Sequence, residues 1–135
     1  MKNLPKINIA LVDDDNDEKF IFQIALNDIE IQYDFNYFST PNDFIDFLNS
    51  KKAVKPDIVF IDMHMPQKNG LELVQELRRE KNFDQIKTVI CSNSVSEVVI
   101  QAFKSLGTSD FIIKPPDLSE MKNVLKKLIE EYIGT

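Results

Sequence analysis

Five side chains have the types and the order that phosphoryl chemistry needs: the pair Asp13-Asp14, then Asp62, Ser92 and Lys114. Each follows a short apolar run, Ile-Ala-Leu-Val (9–12), Ile-Val-Phe-Ile (58–61), Thr-Val-Ile-Cys (88–91) and Phe-Ile-Ile (111–113). Such runs read as strands buried on both faces, the pattern of a parallel sheet. A residue just past such a strand lies at the carboxyl edge, where open α/β sheets bind their ligands. Three carboxylates sharing one crevice repel each other unless a cation joins them. Mg²⁺ is suited to this, because it takes one or two carboxylates and completes its shell with water and phosphate oxygens. Lys114 adds a point charge and Ser92 a hydroxyl, both fit for phosphoryl oxygens, so the set reads as a site where an aspartate accepts a phosphoryl group. Taken singly, Asp62 would merely end a strand. The cluster Asp13, Asp14, Asp15, Asp17 and Glu18 would likewise be a solvated helix start. The combination at one edge is what points to chemistry.

The elements that must position these groups alternate along the chain. Strands are expected over residues 7–12, 31–38, 58–61, 88–91 and 111–113, the second with the partial alternation of an edge strand. Helix one is expected to start at Asp15, with Glu18 as its capping-box partner. Thr40-Pro41 starts helix two as N-cap and first helical residue. Pro66 and Gly70 turn the chain into helix three, whose Arg78-Arg79 end suits the macrodipole. Ser94-x-x-Glu97 reads as a capping box for helix four, with Gly107 just past its end. Asp117-x-x-Glu120 opens helix five along Leu118, Met121, Leu125, Leu128, Ile129 and Tyr132, with Lys122, Lys126 and Lys127 on a solvated face. Five strands alternating with five helices imply a mostly parallel sheet covered on both sides by right-handed crossovers.

Composition narrows the function. At 135 residues the chain fits one domain, 1–135, with no output domain expected. The net charge of −6, without a basic stripe, argues against nucleic acid as a partner. No apolar run has the length of a membrane span, and no signal-peptide core precedes the first strand, so no membrane partner and a cytoplasmic location are expected. The single cysteine, Cys91, excludes an internal disulfide and reads as a buried, inert thiol.

Together, Leu-Val-Asp-Asp-Asp (11–15), Asp-Ile-Val-Phe-Ile-Asp-Met-His-Met-Pro (57–66) with Gly70, Ser92, and Phe-Ile-Ile-Lys-Pro (111–115) resemble a response-regulator receiver domain of the single-domain chemotaxis type. Ser92 follows Asp62 by 30 residues and Lys114 follows Ser92 by 22, as in that family. The resemblance implies an α/β, flavodoxin-like (βα)5 doubly wound sandwich with a five-stranded parallel sheet in order 2-1-3-4-5. It implies Asp62 as phosphoacceptor, and Asp13, Asp14, Asp62 and the backbone carbonyl of His64 as Mg²⁺ ligands. Ser92 and Lys114 would meet the phosphoryl group, and Lys114-Pro115 would be a cis peptide bond. Ser92 and Phe111 would form the switch, while His64 and Ser94 would tune the lifetime of the acyl phosphate. The implied partners are a histidine kinase or histidine phosphotransfer protein, docking near residues 17–24. A downstream protein target would read helix four, strand five and helix five. Such a protein catalyses its own phosphorylation and dephosphorylation but is mainly a signalling switch.

The sequence departs from the commoner family pattern at Phe111, which has no hydroxyl, and at Asn93, which is bulkier than the usual small residue. A haloacid-dehalogenase-type phosphatase would want a second aspartate where His64 stands. The acidic Asp13-Asp14-Asp15 loop would repel the bare phosphate of a flavodoxin-like site, and no P-loop is present. The remaining rival is a pseudo-receiver, an interaction module of this fold that works without phosphorylation.

Overall fold

The computed structural model describes residues 6–51, 54–94, 96–108 and 110–134. The elements alternate as β1 (Lys6–Val12), α1 (Asn16–Asn27), β2 (Gln32–Phe38), α2 (Pro41–Leu48), β3 (Ile58–Asp62), α3 (Gly70–Arg79), β4 (Lys87–Ser92), α4 (Glu97–Ser105), β5 (Asp110–Ile113) and α5 (Leu118–Gly134). The sheet order is β2-β1-β3-β4-β5, and every strand pairing is parallel. This is the doubly wound sandwich expected from the sequence. Every residue of β3 is buried, as its unbroken apolar run requires. β2 alternates exposed and half-buried residues because it stands at an edge.

Alternation of side chains along β1 builds two cores. Ile7, Ile9 and Leu11 pack with Phe22 and Leu26 of α1 and with Met121, Leu125 and Ile129 of α5. Ala10 and Val12 face the opposite side, with Phe44 of α2, Leu73, Val74 and Leu77 of α3, and Phe103 of α4. All the strands run the same way, so their carboxyl ends share one edge, and the chain leaves the core there at Asp13, Asp62, Ser92 and Lys114.

Several helix ends follow the expected signals. Thr40 caps α2 by accepting from the Asp43 N–H, with Pro41 as the first helical residue. Asp117 accepts from the Glu120 N–H at 2.8 Å at the start of α5. Past α4, Gly107 takes φ 77°, and the N–H groups of Gly107 and Thr108 return to the carbonyls of Lys104 and Phe103. This crossed pair needs a residue at ease in the left-handed region.

Other ends differ. Asp15 caps α1 by accepting from Asp17 N–H, while the Glu18 carboxylate turns inward toward Lys114 rather than back to the cap. The cap of α4 is Ser96, two residues later than expected: its hydroxyl accepts from the Val99 N–H at 3.3 Å, while the backbone of Ser94 is bonded to the Ser92 hydroxyl. A capping box not anticipated from the sequence opens α3, where Asn69 and Glu72 exchange side-chain-to-backbone bonds at 2.9 and 3.1 Å. Lys122 is half-buried and pairs with Asp28, so only Lys126 and Lys127 lie on an exposed face. No cis peptide bond occurs among the described residues, so Lys114-Pro115 is trans, contrary to expectation. The trans isomer is the ordinary preference even before proline.

Arg78 does more than complement the end of α3. Its guanidinium donates to the carbonyls of Leu106 at 2.9 Å and Ile86 at 3.3 Å, and to the Thr88 hydroxyl at 3.0 Å. It therefore ties α3 to the start of β4 and the end of α4. Arg78→Met should destabilise the fold by about 2–4 kcal/mol in urea unfolding, since several acceptors lose a charged donor at once. Wild-type stability in that variant would reduce the network to surface decoration.

Candidate functional site

The loop after β1 is held from two sides. Asp13 N–H donates to the Phe38 carbonyl at 3.1 Å, and the Tyr37 hydroxyl donates to the Asp13 carbonyl at 2.6 Å. The end of β2 thereby fixes the backbone that presents both acidic side chains. Asp13 is buried and Asp14 exposed, so one carboxylate points into the crevice and the other closes it from the solvent side. Asp62 ends β3 with only 7% of its surface exposed.

Behind Asp62 the chain makes a tight return. The Gly70 N–H donates to the Met63 carbonyl at 3.1 Å. A Cβ on Gly70 would stand 3.0 Å from the Asp62 carbonyl oxygen and 3.1 Å from Met63 Cα, so a side chain there would push against the acceptor's own backbone. Gly70 is thus required by close approach, not by an unusual φ. The intervening turn puts Gln67 at φ 72° under a Lys68 N–H to Pro66 carbonyl bond of 2.8 Å.

One carboxylate oxygen from each of Asp13, Asp14 and Asp62 can be chosen so that all lie within 4.8 Å of one another. An oxygen-only set of this size, with two buried members and an exposed one, fits a hard divalent cation that keeps some of its water. Lys114 enters from β5. Its backbone N–H is pinned to the Ser92 carbonyl at 2.8 Å, and its Nζ reaches 3.5 Å from Asp13 Oδ2 and 3.5 Å from Asp62 Oδ1. The expected set, Asp13, Asp14, Asp62, Ser92 and Lys114, is therefore assembled at one edge.

Ser92 is buried. Its hydroxyl donates to the Ser94 carbonyl at 2.7 Å, and the Ser94 N–H returns to Ser92 Oγ at 3.3 Å. Phe111 is half-buried, with its ring edge-on to Phe103 of α4 at 5.4 Å. The His64 side chain is exposed, while its backbone N–H bonds the Asp62 carboxylate. Cys91 is buried, and burial pushes its thiol up, in keeping with an inert role.

Two residues of the site were not singled out from sequence. Tyr37 had no local signal, since its bond to Asp13 spans 24 residues. From sequence Glu18 reads as a capping partner and a member of a solvated acidic cluster, yet its Oε1 lies 3.8 Å from Lys114 Nζ and its side chain is 16% exposed. Its place in the first turn of α1, directly after the acidic loop, was the available signal.

The crevice holds more negative charge than Lys114 offsets. Burial raises Asp13 to about 6, against the Asp15 N–H and the Lys114 ammonium, which lower it. Burial likewise raises Asp62, opposed by Lys114 and the His64 N–H. For Lys114 burial acts downward, but Asp13, Asp62 and Glu18 together hold the ammonium above its ordinary value.

The sign of the pH effect follows. Asp13 ionises near 3.8 when unfolded and near 6 when folded. Between those values the folded state keeps the extra proton, so the cation-free protein loses stability as pH rises through that window. Asp13→Asn should stabilise the cation-free protein at pH 7 by on the order of 1–3 kcal/mol. It should also remove any rise in thermal midpoint caused by millimolar Mg²⁺. Urea and thermal unfolding, with and without Mg²⁺, check both, and a destabilised variant with an intact Mg²⁺ response would contradict the charge assignment.

Comparison with known proteins agrees with this geometry. Residues 9–126 match the response regulator receiver domain family. The chemotaxis protein CheY of Thermotoga maritima is 29% identical over 113 residues, covering 83% of this chain and 92% of that protein. The probable C4-dicarboxylate response regulator DctR of Bacillus subtilis is 32% identical over 76 residues, covering 56% of this chain. The chain spans only 33% of DctR's length. Among solved structures, the phosphorylated cyanobacterial phytochrome response regulator RcpA superposes with a TM-score of 0.85 at 24% identity, covering 97% of this chain and 96% of that one. That likeness speaks for the fold, and the sequence match for the kinship. The chain belongs to the response regulator receiver domain family, the phospho-accepting part of two-component signalling.

Proposed function

We propose that Asp62 is the phosphoacceptor, taking a phosphoryl group from a phosphohistidine on a histidine kinase or histidine phosphotransfer protein. The observation that carries this is the convergence of Asp62, Lys114 and the Asp13-Asp14 pair at the carboxyl edge of the sheet. In the reaction a carboxylate oxygen of Asp62 attacks phosphorus, an O–P bond forms as the N–P bond breaks, and the imidazole leaves. The protein's task is positioning and charge neutralisation. Mg²⁺, held by Asp13, Asp14, Asp62 and the His64 carbonyl, would supply positive charge to the phosphoryl oxygens. Lys114 then exchanges a carboxylate partner for a phosphoryl oxygen. The Ser92 hydroxyl leaves the Ser94 carbonyl for another, giving up a bond with a net value of about 1 kcal/mol.

His64 and Ser94 stand two residues beyond Asp62 and Ser92, and both are exposed. In this reading they border the approach of water to the acyl phosphate, and so set its lifetime. With Mg²⁺ and acetyl phosphate, intact-mass measurement should show one added phosphoryl group on the wild type and none on Asp62→Asn. After donor removal, His64→Ala and Ser94→Ala should lose the group at rates different from wild type. Equal modification of the Asn variant would place the nucleophile elsewhere, and identical decay would make His64 and Ser94 bystanders.

The signal leaves through protein contact. Withdrawal of Ser92 frees space beside Phe111, whose ring already rests on Phe103 of α4. The surface of α4, β5 and α5 carries exposed Val98 and Ile113, at 80% and 62%, suited to a partner that senses the change. The donor docks on α1, where Phe20 and Ile24 are exposed one turn apart beside the acidic crevice. An allosteric coupling of about 1–3 kcal/mol would give the partner roughly 5- to 150-fold preference for the phosphorylated form. Amide hydrogen exchange with a beryllofluoride mimic should show altered protection in α4, β5 and α5. Changes confined to the loops around Asp13 and Asp62 would favour a phosphate shuttle with no output surface.

A further inference from the structure

We propose that Glu18 is a positioning residue for Lys114: it is the counter-charge onto which the ammonium withdraws when a divalent cation takes Asp13 and Asp62. The idea rests on the crevice being a cation site, as proposed above. Lys114 Nζ stands 3.5 Å from Asp13, 3.5 Å from Asp62 and 3.8 Å from Glu18, close to three carboxylates and tightly bound to none. Two of those three are the groups a cation needs. Without a third, cation and ammonium would compete for the same oxygens. Glu18 is the carboxylate that lies outside the Asp13, Asp14 and Asp62 set.

Its environment is unlike that of an ordinary acid in a first helical turn. Such an acid gains from the macrodipole while remaining in water. Glu18 instead has a largely buried side chain, and its Oε2 is buried with no hydrogen-bond partner among the described residues. A buried carboxylate oxygen without a partner is costly, and an ammonium arriving there would relieve the cost. There is room for that movement. A cavity of about 100 Å³ between α1 and the start of α5 is lined by Glu18, Lys114, Pro116, Asp117, Leu118 and Met121; of its two carboxylates, that of Asp117 is exposed and already accepts from the Glu120 N–H at the start of α5. Both Glu18 and Lys114 border the cavity, so Lys114 can step toward Glu18 without displacing the core.

The alternative is that Glu18 merely adds negative charge near the cation. The two differ in what Lys114 does. A through-space attraction survives removal of the lysine, whereas a role exerted through the lysine does not. Calorimetric titration with Mg²⁺ alone, on unphosphorylated protein, separates them. Glu18→Gln should weaken Mg²⁺ binding about tenfold, and Glu18→Asp should recover part of the loss. In a Lys114→Met background the same Glu18→Gln change should alter affinity by less than about twofold. Glu18→Ser, which also lacks the carboxylate, should repeat the pattern if the Gln variant folds poorly. Unchanged affinity in Glu18→Gln, or an equal loss with and without Lys114, would overturn the positioning role. A wild type that binds no Mg²⁺ would instead overturn the cation-site reading beneath it.

Discussion

Lys114 Nζ shares its single charge among oxygens of Asp13, Asp62 and Glu18, with Asp14 completing the acidic set at the rim. Much of the remaining structure serves to hold these like charges together. Tyr37 and the Phe38 carbonyl clamp Asp13 from the sheet edge, the His64 N–H steadies Asp62, and the Ser92 carbonyl pins the Lys114 backbone. The upward shift of Asp13 records the cost of that arrangement. A site short of positive charge suits a divalent cation, and its crowding costs the cation-free fold stability.

The parallel sheet is what allows such crowding. Its strands are buried and rigid, so residues just beyond their ends are placed closely, while the loops that carry them stay open to solvent. Gly70 lets the start of α3 press against the Asp62 backbone, and Arg78 at the other end of α3 fastens that helix to β4 and α4. Ser92, at the end of β4, sits within that connected frame. The Ser92 hydroxyl is committed to Ser94, and the Phe111 ring to Phe103.

The strands, their alternation with helices and the edge position of β2 were legible in the sequence because burial on two faces leaves an unbroken apolar run. Residues directly after such runs were legible as site candidates for the same reason: the strand's end is a local property, and parallel strands share one edge. Thr40-Pro41, Asp117 and Gly107 could also be read locally, since caps involve neighbours only three or four positions apart. Ser94-x-x-Glu97 reads locally as the start of α4, whereas in the structure the cap is Ser96, whose hydroxyl accepts from the Val99 N–H.

Other features depended on partners distant in the chain. The bond from Tyr37 to Asp13 and the guanidinium network of Arg78 have no local signature. Glu18 shows the division most clearly. Three residues after Asp15 it reads as a capping partner, a role it could fill at little cost in an isolated helix. In the folded protein, Lys114 arrives from β5 with more charge to offer than the Asp15 N–H, and the carboxylate turns inward. Local hydrogen-bonding preferences set the helix and its starting point. Long-range electrostatics in a buried crevice, which exists only once β1, β3, β4 and β5 lie side by side, decided where that side chain points.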